Sequence, residues 1–346
     1  MKININFYLD LMMKQILTLF QFIPLFFLSQ QYLTYTHNGI VRNYIYYEPS
    51  GLNDDAPLVF VAHGYSSSAQ NIMNYSGFNY LALQNRFAVC YPEGTSDSWG
   101  NNFWNVGYLF TSGSNIDDVD FLNSLAQELQ STRNLSSENT FLTGMSNGAE
   151  LCYLIACESS GIFKAYAPVA GTIFPNGLNN NHCNGSPTPL FEIHGINDNV
   201  TLFQGNANDQ FWGPYLSIDS VINYWVNINS LNNLTIDTLP NLNNNNKYTI
   251  SYKYNSLANN NEIWLYKHMD GHSWSVDDIN TQNEIWEFFS KYLSIPANSD
   301  IELNSKDKKI LIKRLNLLGQ EVKGSYHGIV LYLYDNGTVE KKIINE

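Results

Sequence analysis

Apolar and polar positions along this chain follow two periods. From Tyr32 to Tyr47 they alternate around Asn38-Gly39, the strongest short-range hairpin signal. Pro57 then opens LVFVAH, a short apolar, β-branched run that ends at His63-Gly64 and reads as a strand buried on both faces. A helical stretch from about Ala69 to Gln84 leads to the strand FAVCYP, Phe87 to Pro92. From Asp117 to Leu129 the period lengthens: Val119, Leu122, Leu125 and Leu129 recur at helical spacing. Strand-like FLTG, Phe141 to Gly144, is followed by a helix over Asn147 to Glu158 and strands FKAYAPVAG and PLFEIHG, the latter ending at Gly195. A helix over Ile218 to Ile228, strands KYTISYKY and NEIWLYKH, and a helix over Asp278 to Tyr292 complete the series. Strands alternating with helices predict an α/β fold, a mostly parallel sheet covered on both faces.

The two ends of the chain depart from that rhythm. Ile16 to Leu28 is almost continuously apolar, with Lys14 before it and Ser29-Gln30-Gln31 after it, the layout of a secretory signal peptide. The run is shorter than the ~20 residues of a membrane span and Pro24 interrupts it, so a permanent membrane anchor is not expected. Asp10 is out of place in a basic n-region; a start at Met12 or Met13 removes it. Expected boundaries are a signal peptide over 1–31, a main domain over 32–294, a linker over 295–300 (IPANSD) and a small β module over 301–346 with turns at Gly319-Gln320 and Asn336-Gly337. Asn241 to Asn246 is low-complexity and predicts a solvated loop tip.

Charge narrows the choice of partners. Charged residues make up only 14% of the 346, against about 25% in ordinary soluble proteins, so neutral Asn, Ser, Thr and Tyr form the polar surface. The net charge of −13 repels phosphate backbones and anionic lipid, which excludes nucleic acid as a partner. Four cysteines in an exported chain admit two disulfides in three connectivities. Cys152 and Cys157, five apart on one predicted helix, point away from each other; Cys183, in a Gly/Asn/Pro loop, is a better partner for either. Neither CxxC nor HExxH spacing occurs, so no metal is expected.

Gly144-Met145-Ser146-Asn147-Gly148 is G-x-S-x-G between a predicted strand and a predicted helix. Small flanking residues permit the strained turn that exposes a serine hydroxyl, and the helix N-terminus offers N–H groups to an oxyanion. The bland alternative is Ser146 as an ordinary N-cap. Downstream, Asp198 follows a buried strand, which brings it to the carboxyl edge of the sheet where ligands bind. His272, in Asp270-Gly271-His272-Ser273-Trp274, follows the next strand but one. Ser, Asp, His is the α/β-hydrolase order. Asp209 and Asp219 compete for the acid and His268 for the base, whereas His63 and His194 read as structural hydrogen-bonders at strand ends. His63-Gly64-Tyr65 occupies the position that supplies a second oxyanion N–H. Tyr65, Trp99, Phe103, Trp104, Phe211, Trp212 and Trp274 fall around the expected mouth and fit either stacking on substrate or packing of core and rim.

In this order HGYSSSAQN, YPEGTSDSWGNNFWN, DDVDFL, GMSNGAELCYLIACESSGIFKAYAPVAG, EIHGINDNV and DGHSW resemble the secreted polyhydroxybutyrate depolymerase and feruloyl esterase group of α/β-hydrolases, over about residues 38 to 293. The resemblance implies a cofactor-free serine esterase with Ser146 as nucleophile, Asp198 as acid, His272 as base, and Tyr65 and Asn147 N–H groups as oxyanion hole. Substrate-binding roles are expected for Trp99, Trp104, Trp212 and Trp274. The resemblance also implies a Cys157–Cys183 disulfide. Its substrates would be feruloyl or acetyl esters of plant polysaccharide, or polyhydroxyalkanoate. Departures occur at Tyr65-Ser66, where the group often has Cys-Thr, and at Ser273-Trp274-Ser275, where it often has Thr-Trp-Pro. RLNLLGQEV, GIVLYLY and KKIINE resemble a type IX secretion C-terminal sorting domain, which implies that machinery as a partner and an extracellular destination. A glycan-binding surface protein without turnover and a serine peptidase of the same fold are the competing readings.

Overall fold

A computed structural model describes residues 30–158, 161–174, 183, 186–243, 245–274, 278–294, 311–316, 322, 328–334 and 339–344. Residues 1–29 of the expected signal peptide (1–31) and the linker 295–300 lie outside the described residues. The chain divides into two compact units, Met1–Ser294 and Ile295–Glu346.

In the first unit the Asn38-Gly39 hairpin joins β1 (Gln30–His37) to β2 (Ile40–Tyr47). Strand β1 starts two residues before Tyr32, at Gln30. The series continues with β3 (Ala56–Ala62), α1 (Ala69–Ser76), α2 (Phe78–Asn85), β4 (Ala88–Pro92) and a two-residue ribbon of β5 (Thr95–Ser96) and β6 (Asn102–Phe103). Then come α3 (Asp118–Thr132), β7 (Leu135–Met145), α4 (Asn147–Glu158), β8 (Ala165–Val169), β9 (Leu190–Gly195) and α5 (Ile218–Ile228). Strands β10 (Asn233–Thr238), β11 (Thr249–Asn255) and β12 (Ile263–His268) and helix α6 (Thr281–Ser290) follow. One sheet of order β1-β2-β4-β3-β7-β8-β9-β12-β11-β10 results. Its interior, β4 to β12, pairs in parallel, while the two outer pairings at each end are antiparallel.

Alternation along the buried strands explains the double covering. Leu58, Phe60 and Ala62 of β3 face one apolar cluster with the inner faces of α3, α4 and α5; Val59 and Val61 face a second with α1, α2 and α6. Burying side chains on both faces is what makes these strands read as continuous apolar runs.

Three local departures from expectation have physical causes. The helix predicted from Ala69 to Gln84 is two helices, because Gly77 takes a left-handed φ of 77° and a Cβ there would meet Gln282 Nε2 at 2.7 Å. The helix expected from Asp278 starts at Thr281, capped by Asn280, whose side chain accepts from the Asn283 N–H. Strand β10 has no sequence signal because all six of its residues are exposed at the sheet edge. The Asn-rich run lies between β10 and β11.

In the second unit β13 (Leu311–Asn316), β14 (Gly328–Tyr334) and β15 (Val339–Ile344) form an antiparallel three-stranded sheet.

Candidate active site

Ser146 stands between β7 and α4 with φ 56°, a left-handed conformation that costs a non-glycine residue about 1–3 kcal/mol and is held only where its surroundings dictate it. Its N–H donates to the Val169 carbonyl of the next strand at 2.9 Å, and its carbonyl accepts from Ala149 and Glu150 N–H as α4 begins. The flanking glycines are required by space: a Cβ on Gly144 would lie 2.5 Å from Gly148 O, and one on Gly148 only 2.4 Å from Ala62 O. The turn presses strand β7, helix α4 and the end of β3 together, and only hydrogen fits between them.

The end of β3 is fixed from the other side. His63 is buried, accepts at Nε2 from the Gly94 N–H (2.9 Å), and so carries its proton on Nδ1, which donates to Gly64 O (2.7 Å). Burial pushes its pKa down to about 4, so it is a neutral structural group. Gly64 packs on the Ser146 turn, a Cβ there meeting Ser146 Cβ at 3.3 Å, which brings Tyr65 beside the serine. The Asn147 side chain is fully buried and clamps the Trp104 backbone, accepting from its N–H (2.6 Å) and donating to its carbonyl (3.1 Å). The Tyr65 hydroxyl donates to Asp97 at 2.6 Å.

Asp198 follows β9 and is buried. Its Oδ1 accepts from the Val200 and Thr201 N–H groups at 2.8 and 2.9 Å, which leaves Oδ2 to accept from His272 Nδ1 at 2.7 Å. Asp209 and Asp219 are engaged elsewhere, the first with Phe211 and Trp212 N–H groups and the second with Lys267. His268 is buried, burial lowers its pKa to about 4, and its Nδ1 accepts from Asp270 N–H. Of the two candidate bases, then, His272 and not His268 is hydrogen-bonded to the buried acid. Among the described residues no hydrogen bond joins the Ser146 hydroxyl to His272, and such contacts commonly tighten only with substrate in place.

A cavity of about 20 Å³, room for roughly one water molecule, adjoins Ser146 between Tyr108, Glu150, Thr172, Phe174 and Tyr215. Glu150, one helical turn beyond the serine, accepts a hydrogen bond from the Tyr108 hydroxyl, and burial pushes its pKa up to about 7. Sequence reading passed over this carboxyl and over Glu192; an acid inside an otherwise apolar helix (AELCYLIAC) or strand (PLFEIHG) was the available signal.

The four tryptophans part company. Trp104 is 0% and Trp274 3% exposed, so neither can touch a substrate: Trp104 donates to His63 O at 2.8 Å, and Trp274 packs on Phe78. Trp212 lines the cavity and meets the Tyr65 ring edge-on at 5.1 Å. Trp99 is 60% exposed and stacks on exposed Phe211. Cys157 and Cys183 form a disulfide, while Cys90 and Cys152 are buried thiols whose pKa values burial raises. Among the described residues no cluster of His, Cys, Asp and Glu could hold a metal, and no helix is long and apolar enough to cross a membrane.

Residues 42–207 match the family described as Esterase PHB depolymerase. The chain is 26% identical over 192 residues to a bifunctional acetylxylan esterase/xylanase of Neocallimastix patriciarum, covering 54% of this chain and 26% of that protein. It is 27% identical over 177 residues to a probable feruloyl esterase C of Aspergillus clavatus, covering 49% and 61%. It thus spans less than two thirds of either relative. An acetyl xylan esterase structure from Aspergillus awamori superposes with a TM-score of 0.55 at 16% identity, over 76% of this chain and 99% of that one, and shows the shared α/β-hydrolase fold. The family match and these relatives support the PHB depolymerase esterase family for residues 42–207, carried on an α/β-hydrolase fold.

Proposed function

We propose that this protein is a secreted serine carboxylic-ester hydrolase whose preferred substrates carry a short acyl group, acetyl before feruloyl, on a polysaccharide. The observation that carries the reading is the His272–Asp198 contact at 2.7 Å, on the same sheet edge as a serine held at φ 56° in a strand-turn-helix. Asp198, ionised and facing Nδ1–H, fixes the tautomer in which Nε2 of His272 is the free base. Nε2 takes the proton from Ser146 Oγ as oxygen attacks the ester carbonyl, and the Tyr65 and Asn147 N–H groups receive the oxyanion. Collapse expels the alcohol, which takes the proton from His272. Water, deprotonated by the same nitrogen, then releases the acid and regenerates Ser146.

The size of the cavity beside Ser146 supports the acyl preference. About 20 Å³ beside Ser146 suits a methyl group better than a feruloyl ring. Trp212 at the cavity and exposed Trp99 are proposed to contact the alcohol side of the ester, where a neutral sugar ring suits an aromatic face. The Cys157–Cys183 bond supports an oxidising destination. Export by an N-terminal signal and a C-terminal type IX sorting module remains part of the proposal.

The full chain and its Ser146→Ala variant, compared on p-nitrophenyl acetate and butyrate, methyl ferulate, acetylated xylan and polyhydroxybutyrate film, test it. Serine-dependent acetate release is the expected result. Equal turnover by the variant overturns the assignment, and a folded protein that binds xylan without turnover favours the glycan-binding reading.

A further inference from the structure

Behind the proposed acid lies a second histidine that the mechanism above does not use. His194, at the end of β9, is fully buried. Its Nδ1 lies 2.7 Å from Glu192 Oε1, and its Nε2 lies 2.9 Å from the Thr201 carbonyl and 3.5 Å from Asp198 Oδ2. The same Asp198 oxygen accepts from His272.

Counting donors and acceptors fixes one ring proton. A carbonyl oxygen only accepts, so Nε2 carries a hydrogen. Glu192 Oε1 faces the Gly171 N–H at 3.3 Å, and Oε2 accepts from the Tyr153 hydroxyl at 2.9 Å, so donors surround that carboxyl and favour its ionised form against the burial that raises its pKa. That donor set points to an Nδ1–H facing Glu192 at 2.7 Å, and so to an imidazolium paired with it in the interior. Burial opposes that charge, but the Glu192 carboxylate outweighs it, and the imidazole pKa lies above its ordinary value. The other groups around it are accounted for: His268 on β12 is neutral, Tyr153 on α4 is turned to Glu192, and the Phe203 ring closes the remaining side at 5.8 Å.

We infer that His194 is a positioning residue of the proposed esterase site, its Glu192-paired imidazolium holding Asp198 oriented toward His272. The inference rests on the esterase reading. Burying a carboxylate is costly, and a cation 3.5 Å from Oδ2, the oxygen that accepts from His272, offsets part of that cost. Because the cation stabilises negative charge on Asp198, it also moderates how strongly Asp198 stabilises a protonated His272.

Two measurements test this. In the ¹⁵N-labelled full chain, His194 should lose its second ring proton at a pH above that of an ordinary imidazole; a ring nitrogen already unprotonated where a free imidazole is still charged overturns the inference and needs no activity. His194→Gln keeps a donor for Thr201 without the charge. It should lower kcat and move the acidic limb of kcat/KM up by about 1 pH unit. An active, folded His194→Gln variant with the wild-type limb means a packing role only and overturns the inference. Wild-type protein without esterase activity counts against the esterase reading instead, and the ring-nitrogen measurement still decides the state of His194.

Discussion

His272 Nδ1 and Asp198 Oδ2 lie 2.7 Å apart although 74 residues separate them, and the carboxylate reaches the imidazole because its other oxygen is pinned by two backbone N–H groups of its own loop. Asp198→Asn can keep those backbone contacts through its amide oxygen, but its NH₂ then faces His272 and imposes the wrong tautomer. We expect kcat on p-nitrophenyl acetate to fall by ~10⁴-fold, as when the corresponding acid of a serine protease triad is amidated. Circular dichroism should show an intact fold. A variant retaining a tenth of wild-type kcat removes Asp198 from the mechanism.

The acyl cavity makes a prediction about chain length. One extra methylene that does not fit costs about 1–3 kcal/mol, so two should place p-nitrophenyl butyrate at least ~10-fold below acetate in kcat/KM. Phe174→Ala, which removes a ring from the cavity wall, should narrow that gap. A wild-type preference for butyrate or ferulate assigns the acyl group to another surface.

Glu150 ties stability to pH. Its pKa rises from an ordinary 4.5 to about 7 in the folded protein because burial disfavours the charge. Between those values the folded state holds a proton that the unfolded state has released, so stability falls as pH rises from 4.5 through 7 and levels off above. The loss is on the order of 3 kcal/mol. Glu150→Gln should flatten this part of the curve and be more stable than wild type at pH 8 in urea titrations. An unchanged pH profile in the variant refutes the assignment.

Gly148→Ala must fit a methyl group where Ala62 O is 2.4 Å and His63 O 2.7 Å away. Forced overpacking of this kind costs about 1–3 kcal/mol or more. The variant should unfold at lower urea and lose activity with it, whereas Ser146→Ala loses activity alone. Wild-type stability in Gly148→Ala contradicts the packing described for the turn.

The Cys157–Cys183 bond closes a loop of sequence separation 26. Removing it by Cys183→Ser should cost about 2–4 kcal/mol through freedom restored to the unfolded chain. The urea midpoint with and without reductant reads this directly; insensitivity of the native protein to reductant would indicate a bond that contributes little.

The α/β class was legible in the sequence, because strands buried on two faces must read as apolar runs and helices covering them must repeat at 3.6 residues. So was the chemistry available: G-x-S-x-G needs glycines where β3, β7 and α4 converge, and that steric need is written in Gly144 and Gly148. Strand β10 was illegible because an exposed edge strand has no apolar face to pattern. Only the tertiary structure decided which histidine meets which acid, since His268 and His272 sit four residues apart and differ in where β12 and its following loop aim them. Only the tertiary structure, likewise, put Trp104 and Trp274 in the interior and Trp99 at the surface, and gathered Glu192, His194 and Asp198 into one buried network. Burial and hydrogen-bond partnership are properties of packing between distant segments, and a one-dimensional pattern records them only where every position along an element obeys the same rule.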